Sequence, residues 1–269
     1  MGTVTSRDGT TIAYERAGDG PPVVLVSGAL CDRKVNAPLA ALLARRFTVY
    51  TYDRRGRGAS GDVAGGTPTQ HAVDREVEDI AALVAEAGGS AAVCGFSSGA
   101  ALALAAAAAD GGAGVSHLVM YEPPYSLEED NRKAKAEYTA RLAEVLAAGR
   151  RGDAVELFVR MTGAPSEVVA GLRNSPVWPD FEALAHTLAY DDAAMGDGSP
   201  PHGRLASVTV PTLVLAGGET WEWMRQTARA VADAVPGAEY RTLEGQTHEV
   251  EAGALAPVLE EFLLRAPRT

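Results

Sequence analysis

Residues 93–102 read VCGFSSGAAL and contain the pattern Gly-x-Ser-x-Gly at positions 95–99. The pattern stands between an apolar run, typical of a buried strand, and an alanine-rich stretch of high helix propensity. A sharp turn at this junction would expose the Ser97 hydroxyl above the sheet, and the flanking glycines would allow close backbone packing. The backbone N–H of Ser98, at the start of the helix, would face a developing oxyanion. The stretch therefore predicts a nucleophile at Ser97, provided that the chain supplies a base.

Strand and helix patterns alternate on both sides of this turn. Asp8-Gly9 before a β-like segment at 10–16 predicts a hairpin. A continuous β-branched run, typical of a strand buried on both faces, occurs at 23–28. Further strands are predicted at 47–53, 90–96, 115–122, 208–218 and 238–245. Helical spacing follows most of these runs. The alternation predicts an α/β fold, a mostly parallel central sheet with helices on both faces.

The alternation stops in the middle of the chain. Between about 123 and 207 there are helical segments and proline- or glycine-rich breaks, but no convincing pattern of a parallel strand. We therefore predict one core from residues 1–122 and 208–269, interrupted by a helical insertion of residues 123–207.

A base for Ser97 is sought among five histidines. His248 lies in a late loop between a strand and the terminal helix, and this places it at the carboxyl edge of the sheet, on the same side as Ser97. His117 lies near the start of its strand and therefore at the opposite edge. His186 and His202 fall in the insertion, where packing or solvated roles are more common. We predict His248 as the base.

Composition restricts the partners and the compartment. The formal net charge of −11 argues against a nucleic-acid surface, which needs clustered Lys and Arg. Two cysteines make no disulfide framework, and the first residues do not resemble a secretory signal. No stretch is long and apolar enough for a membrane span. No metal-ligand spacing or phosphate-binding glycine loop occurs. We expect a cytoplasmic protein without cofactor or metal, acting on a small molecule as a monomer or homodimer.

Several motifs together resemble the α/β-hydrolase fold superfamily over nearly the whole chain. They are Ser27-Gly28, YDRRGRGAS at 52–60, GFSSG at 95–99, VPTLVLAGG at 210–218 and GQTHEV at 245–250. The resemblance implies a Ser–acid–His triad, a helical cap formed by the insertion, and an oxyanion hole from the backbone N–H groups of Ala29 and Ser98. Relatives usually carry His-Gly where this chain has Ser27-Gly28, but the donor is the next residue, so Ala29 can still serve.

The acid of the implied triad has two candidates. The usual position, three residues beyond Gly217, is occupied by Thr220, which cannot stabilise an imidazolium as a carboxylate does. Glu219 is adjacent. Some relatives place the acid at the end of the strand after the nucleophile's helix, and there this chain has Glu122. We favour Glu122 over Glu219.

Five apolar or aromatic residues are candidates for the substrate pocket, although core packing explains them about equally well: Leu30, Tyr125, Trp178, Trp221 and Met224. The arginines of the segment 52–60 resemble a turn that is widespread in the superfamily, and we expect a structural role for them.

Together these features predict a serine hydrolase that acts on a small or medium ester, lactone or thioester through an acyl-enzyme. A serine at the turn argues against dehalogenase or epoxide hydrolase chemistry, which needs a carboxylate nucleophile. The alternative is a protein of this fold that does not hydrolyse, such as a cyclase, a C–C bond lyase or a ligand-binding pseudo-enzyme.

Overall fold

The computed structural model describes residues 1–63 and 70–265. Within these residues one sheet contains eight strands. They are β1 (Gly2–Thr5), β2 (Thr11–Ala17), β3 (Pro22–Val26), β4 (Thr48–Tyr52), β5 (Ala91–Phe96), β6 (Val115–Tyr121), β7 (Thr212–Gly217) and β8 (Glu239–Leu243).

Eleven α-helices occur in the described residues. They are α1 (Ala37–Leu43), α2 (Gln70–Glu86), α3 (Ser98–Ala107), α4 (Glu129–Ala147), α5 (Arg151–Met161), α6 (Ser166–Arg173), α7 (Trp178–Leu184), α8 (Leu188–Met195), α9 (His202–Ala206), α10 (Glu222–Ala234) and α11 (Ala252–Leu263).

The sheet has the order β1-β2-β4-β3-β5-β6-β7-β8. β1 and β2 form the predicted hairpin, and β2 pairs antiparallel with β4. All pairs from β4 to β8 are parallel. The chain runs from β3 outward to β4 and then returns to the other side of β3 as β5. The loops after β3 and β5 therefore diverge at a switch point, where open α/β sheets form their ligand crevices.

Helices cover both faces of the sheet, and the alternation of side chains along each strand explains how. In β3, Val23 and Leu25 pack in the cluster that contains the buried residues of α1 and α11. Val24 and Val26 point the other way, into the cluster that contains α3 and buried residues of α2 and α10. Each fully buried Val or Leu of this kind contributes about 1.5–3 kcal/mol. The predicted α/β architecture is confirmed.

The segment between β6 and β7 is helical in the structure, with α4 to α9 in succession. It contains a hydrophobic cluster of its own, built from α4, α5, α7 and α8 around Trp178, and Leu30 from the loop after β3 joins this cluster. The division into a core and a cap over the site stays a prediction. In the described part of the chain no helix combines the length and apolar character needed to cross a membrane.

Candidate active site

Ser97 stands at a strained turn between β5 and α3. Its backbone has φ 53° and ψ −126°, in the left-handed half of φ that non-glycine residues seldom adopt, and its N–H donates to the Tyr121 carbonyl over 2.9 Å. A Cβ on Gly95 would collide with the backbone of Gly99, and a Cβ on Gly99 would collide with the Val26 carbonyl. Both glycines are therefore required for this close approach, which leaves the Ser97 side chain partly exposed.

Glu122 follows β6 directly and is fully buried. Its backbone has φ 46°, and its N–H donates to the Leu215 carbonyl of the neighbouring strand β7 over 2.9 Å. Its carboxylate accepts the Gly217 N–H at 2.8 Å and the Thr220 hydroxyl at 3.2 Å. A left-handed backbone costs about 1–2 kcal/mol for such a residue, and these bonds hold it in place.

His248 lies against this carboxylate. Its Nδ1 is 2.6 Å from Oε2 of Glu122, and its side chain is 32% exposed. Because an ionised carboxylate only accepts hydrogen bonds, the proton of this bond belongs to Nδ1, and Nε2 is then the acceptor of the neutral ring. The phenol of Tyr121 donates to the carbonyl of Thr247 over 2.5 Å and so fixes the loop that carries His248. Burial, reinforced by the Glu122 charge, raises the pKa of Tyr121, so this phenol stays a donor.

The structure separates the two acid candidates. Glu219 is exposed, and its backbone N–H is tied to the Gln246 carbonyl over 2.8 Å. Thr220, at the position where relatives usually carry the acid, is buried and turned towards Glu122. The carboxylate that accepts the hydrogen bond from His248 Nδ1 is that of Glu122.

Of the two predicted oxyanion donors, Ser98 lies at the start of α3 and Ala29 in the loop after β3. Ser98 is the first residue of α3, so its N–H has no acceptor within the helix. Gly28 is so near the nucleophile that a Cβ on it would lie 3.9 Å from Ser97 Oγ. Ala29 follows Gly28 and is partly exposed, and Leu30 after it turns the chain with φ 54°.

The pocket candidates fall in different surroundings. Leu30 and Trp178 meet in the hydrophobic cluster of the helical segment. Tyr125 and Met224 are buried, and the sulfur of Met224 lies 3.7 Å from the Thr220 hydroxyl. Trp221 is 54% exposed at the start of α10. Its ring stacks on the exposed ring of Trp223 in α10, so Trp221 lies at the surface. A role in a pocket stays a prediction for all five.

The sequence motifs do not predict one group of contacts beside Ser97, which joins two arginines and Ser98 to Asp191. Arg54 and Arg57, in the turn after β4, are fully buried and both bind the carboxylate of Asp191 in α8. The hydroxyl of Ser98 donates to the same carboxylate over 2.7 Å. The expected structural role of the arginines is thus accompanied by a link to the turn of Ser97. The only signal of this link in the sequence is the pair of adjacent acids Asp191 and Asp192 in a helical segment.

Comparisons with known proteins agree with this fold. A model of the "Alpha/beta hydrolase family" matches residues 23–260. The chain is similar to the crystal structure of an alpha/beta hydrolase from Sphaerobacter thermophilus, with 50% identity and a TM-score of 0.87, covering 97% of this chain and 100% of that one.

Two curated proteins extend the comparison. The chain is 26% identical to 3-oxoadipate enol-lactonase 1 of Acinetobacter baylyi over 219 residues, which are 80% of this chain and 77% of the lactonase. A match to a non-heme haloperoxidase of Rhodococcus erythropolis is 37% identical over 89 residues, which are 33% of this chain and 31% of that protein. The extent of the family match shows that this chain belongs to the alpha/beta hydrolase family.

Proposed function

We propose that the protein is a cofactor-independent serine hydrolase that cleaves a small or medium ester, lactone or thioester through Ser97, His248 and Glu122. The observation that carries the proposal is the 2.6 Å bond between His248 Nδ1 and Glu122 Oε2. Phe96 and Tyr121 pair in register at the ends of β5 and β6, so Ser97 and Glu122, the next residues, leave neighbouring strands at the same level.

In the proposed reaction, Glu122 keeps the Nδ1 tautomer of His248, so that Nε2 can take the Ser97 proton as the hydroxyl attacks the substrate carbonyl. The imidazolium then gives this proton to the leaving oxygen or sulfur. Glu122 stabilises the positive ring from a site with no solvent exposure, where a charge interaction is screened less than at the surface.

The oxyanion of the tetrahedral intermediate is bound by the N–H groups of Ala29 and Ser98. Collapse of the intermediate leaves an acyl group on Ser97 and frees the alcohol or thiol, which in a lactone remains attached to the acyl group as its hydroxyl end. Water, deprotonated by His248, attacks the acyl-enzyme, and the acid is released as Ser97 regains its proton. One ester and one water thus give one acid and one alcohol.

Two observations support the substrate class and the role of the helical segment. Among the similar curated proteins is an enol-lactonase, which covers most of this chain. The cluster around Trp178 includes Leu30, which follows Ala29 directly. We propose that residues 123–207 form a cap whose apolar face helps to bind the acyl group.

Labelling with a fluorophosphonate tests the nucleophile, since this reagent reacts with activated serines. We expect the wild-type protein to be labelled and the Ser97→Ala variant to lose both labelling and turnover of p-nitrophenyl acetate. Ser207→Ala is the matched control, because Ser207 is exposed and its hydroxyl donates only to the local Arg204 carbonyl. The control is expected to react like the wild type.

Labelling of Ser97→Ala at the wild-type rate would contradict the proposal. A folded wild-type protein that neither reacts with fluorophosphonate nor turns over any ester, lactone or thioester of a panel would favour the non-hydrolytic alternative.

A further inference from the structure

The carboxylate of Asp191 is the centre of a buried group of contacts between the helical segment and the turn of Ser97. Its Oδ1 accepts from Arg54 Nη1 at 2.6 Å and from the Ser98 hydroxyl at 2.7 Å, and its Oδ2 accepts from Arg57 Nη2 at 2.8 Å. Its side chain is only 5% exposed. Asp191 lies in α8, which packs on α3 behind Ser97. Three donors from two other parts of the chain therefore meet on one carboxylate.

Arg57 uses its other terminal nitrogen to bind the loop after β3. Nη1 donates to the Gly28 carbonyl over 2.5 Å, and Arg54 Nη1 reaches the Ser27 carbonyl at 3.2 Å. The Gly28 carbonyl and the Ala29 N–H belong to the same peptide group, which is planar and trans. Because these two groups point in opposite directions, the bond from Arg57 to Gly28 also sets the direction of the Ala29 N–H.

The second proposed donor is tied to the same carboxylate. Ser98 supplies its N–H at the start of α3, and its hydroxyl is anchored on Asp191 Oδ1. This bond restrains the first residue of the helix, where the backbone is strained by the φ of 53° at Ser97. Both N–H groups thus depend on Asp191, one through Arg57 and one through the Ser98 side chain.

We infer that Asp191 and Arg57 are positioning residues, which hold the Ala29 and Ser98 N–H groups in the orientation that binds the oxyanion and couple that orientation to the helical segment. The inference rests on the proposed function, since it concerns the transition state of that reaction. Neither residue touches the reacting atoms in this scheme.

The charges of this group are suited to a fixed role. Burial opposes the ionisation of Asp191, but the guanidinium groups of Arg57 and Arg54 outweigh it and hold the pKa of Asp191 below its ordinary value. Arginine itself does not lose its proton in proteins. The carboxylate and both guanidinium groups are therefore charged at neutral pH, and the ion pairs that hold this geometry persist there.

Asp191→Asn tests the inference, because the amide keeps the size of the side chain and removes its charge. We expect kcat for p-nitrophenyl acetate to fall about 10- to 100-fold with KM little changed. This fall in kcat is smaller than the 10²- to 10³-fold loss that follows removal of an oxyanion donor, because both N–H groups remain. KM changes little because the oriented N–H groups bind the transition state and not the substrate ground state. Affinity for a trifluoromethyl ketone, which forms a tetrahedral adduct on Ser97, is expected to fall in proportion to kcat/KM.

The matched control is Asp79→Asn. Asp79 is equally buried and binds Arg55 through both carboxylate oxygens, at 2.7 and 2.8 Å. Arg55 also donates to Asp8 and to the Arg75 carbonyl and lies 4.0 Å from the carboxylate of Asp62. This substitution breaks a similar ion pair without touching the loop after β3. We expect it to lower stability while kcat per active site, counted by fluorophosphonate titration, stays within about twofold of wild type.

Ser98→Ala is the second variant, and it tests the inference even if Asp191→Asn does not fold. It retains both arginines, Asp191 and its own N–H, and removes only the bond to the carboxylate. We expect the same selective loss of kcat and of trifluoromethyl ketone affinity, by about tenfold. Wild-type kcat in Ser98→Ala and in any folded Asp191→Asn would overturn the inference and leave the proposed function intact. A wild-type protein that showed neither fluorophosphonate labelling nor turnover would contradict both the proposed function and this inference.

Discussion

Two charged groups flank the turn of Ser97, and they differ in what they can do. On the side of β6 and β7, Glu122 binds His248, whose ring is 32% exposed. On the side of β3 and β4, Arg54 and Arg57 bind Asp191 almost out of contact with solvent. Imidazole changes its protonation near neutral pH, whereas guanidinium does not. The first group is therefore able to move a proton, and the second is able only to hold geometry.

The two groups differ in their ability to transfer a proton because they differ in solvent exposure and in the number of their polar atoms that are already bonded. His248 is carried on a loop and has one ring nitrogen bound to Glu122, so the other can face a substrate. In the second group, both carboxylate oxygens of Asp191 accept hydrogen bonds from buried donors. Replacing a residue in each group is expected to separate loss of proton transfer from loss of orientation.

The largest effect is expected from Glu122→Gln. The amide can donate to His248 Nδ1 and so favour the wrong tautomer, and it cannot stabilise the imidazolium. We expect kcat for p-nitrophenyl acetate to fall about 10³- to 10⁴-fold. Glu219→Gln is the matched control, because Glu219 is exposed and one residue from Thr220. A crippled Glu219→Gln with an active Glu122→Gln would show that Glu219 is the acid.

The next largest effect is expected on the free energy of unfolding of Asp191→Asn and on its dependence on pH. Asp191→Asn leaves the buried guanidinium of Arg57 without its carboxylate, whereas Arg54 keeps its ion pair with Glu76, so we expect the free energy of unfolding at neutral pH to fall by about 3–5 kcal/mol. The folded-state pKa of Asp191 is lowered, so its contribution is present above the ordinary carboxyl pKa and is lost as pH falls through the folded-state value.

The stability difference between wild type and Asp191→Asn is therefore expected to narrow below about pH 4. Urea unfolding at a series of pH values measures it. A difference that is constant from pH 7 into this acid range would contradict an ionised Asp191 in the folded protein.

The smallest effect is expected from Thr220→Val, which removes one donor to Glu122 and retains the shape of the side chain. The carboxylate keeps the Gly217 N–H and His248. Loss of a hydrogen bond to a charged group corresponds to about 1.5–3 kcal/mol at most, so we expect kcat to fall by about tenfold and the pH profile of kcat/KM to shift. An unchanged rate and profile would assign Thr220 a packing role only.

Much of this architecture was predictable from local patterns. The six parallel strands of the described residues alternate with helical segments, and this alternation predicts a parallel sheet with its strand-to-helix loops at one edge. That rule alone brings Ser97 and His248 to the same edge, because each follows the carboxyl end of a strand. The membership of the wider family follows from the order of the same motifs.

The partners of these residues could not be predicted in the same way. Glu122 and Glu219 both follow strand ends, and only the register of β6 against β7 puts the Glu122 carboxylate level with the Gly217 N–H and beneath His248. Trp221 likewise follows the Thr220 position in sequence but faces outward, because the first turn of α10 exposes it.

The sequence by itself thus determined the sheet, the strained turn at Ser97 and the loop of His248, since each depends on residues that are neighbours along the chain. The tertiary structure alone decided which carboxylate meets His248 and that Asp191 reaches Ser98. Such contacts depend on strand register and on the packing of α8 on α3, and these are set by the whole core rather than by any local pattern.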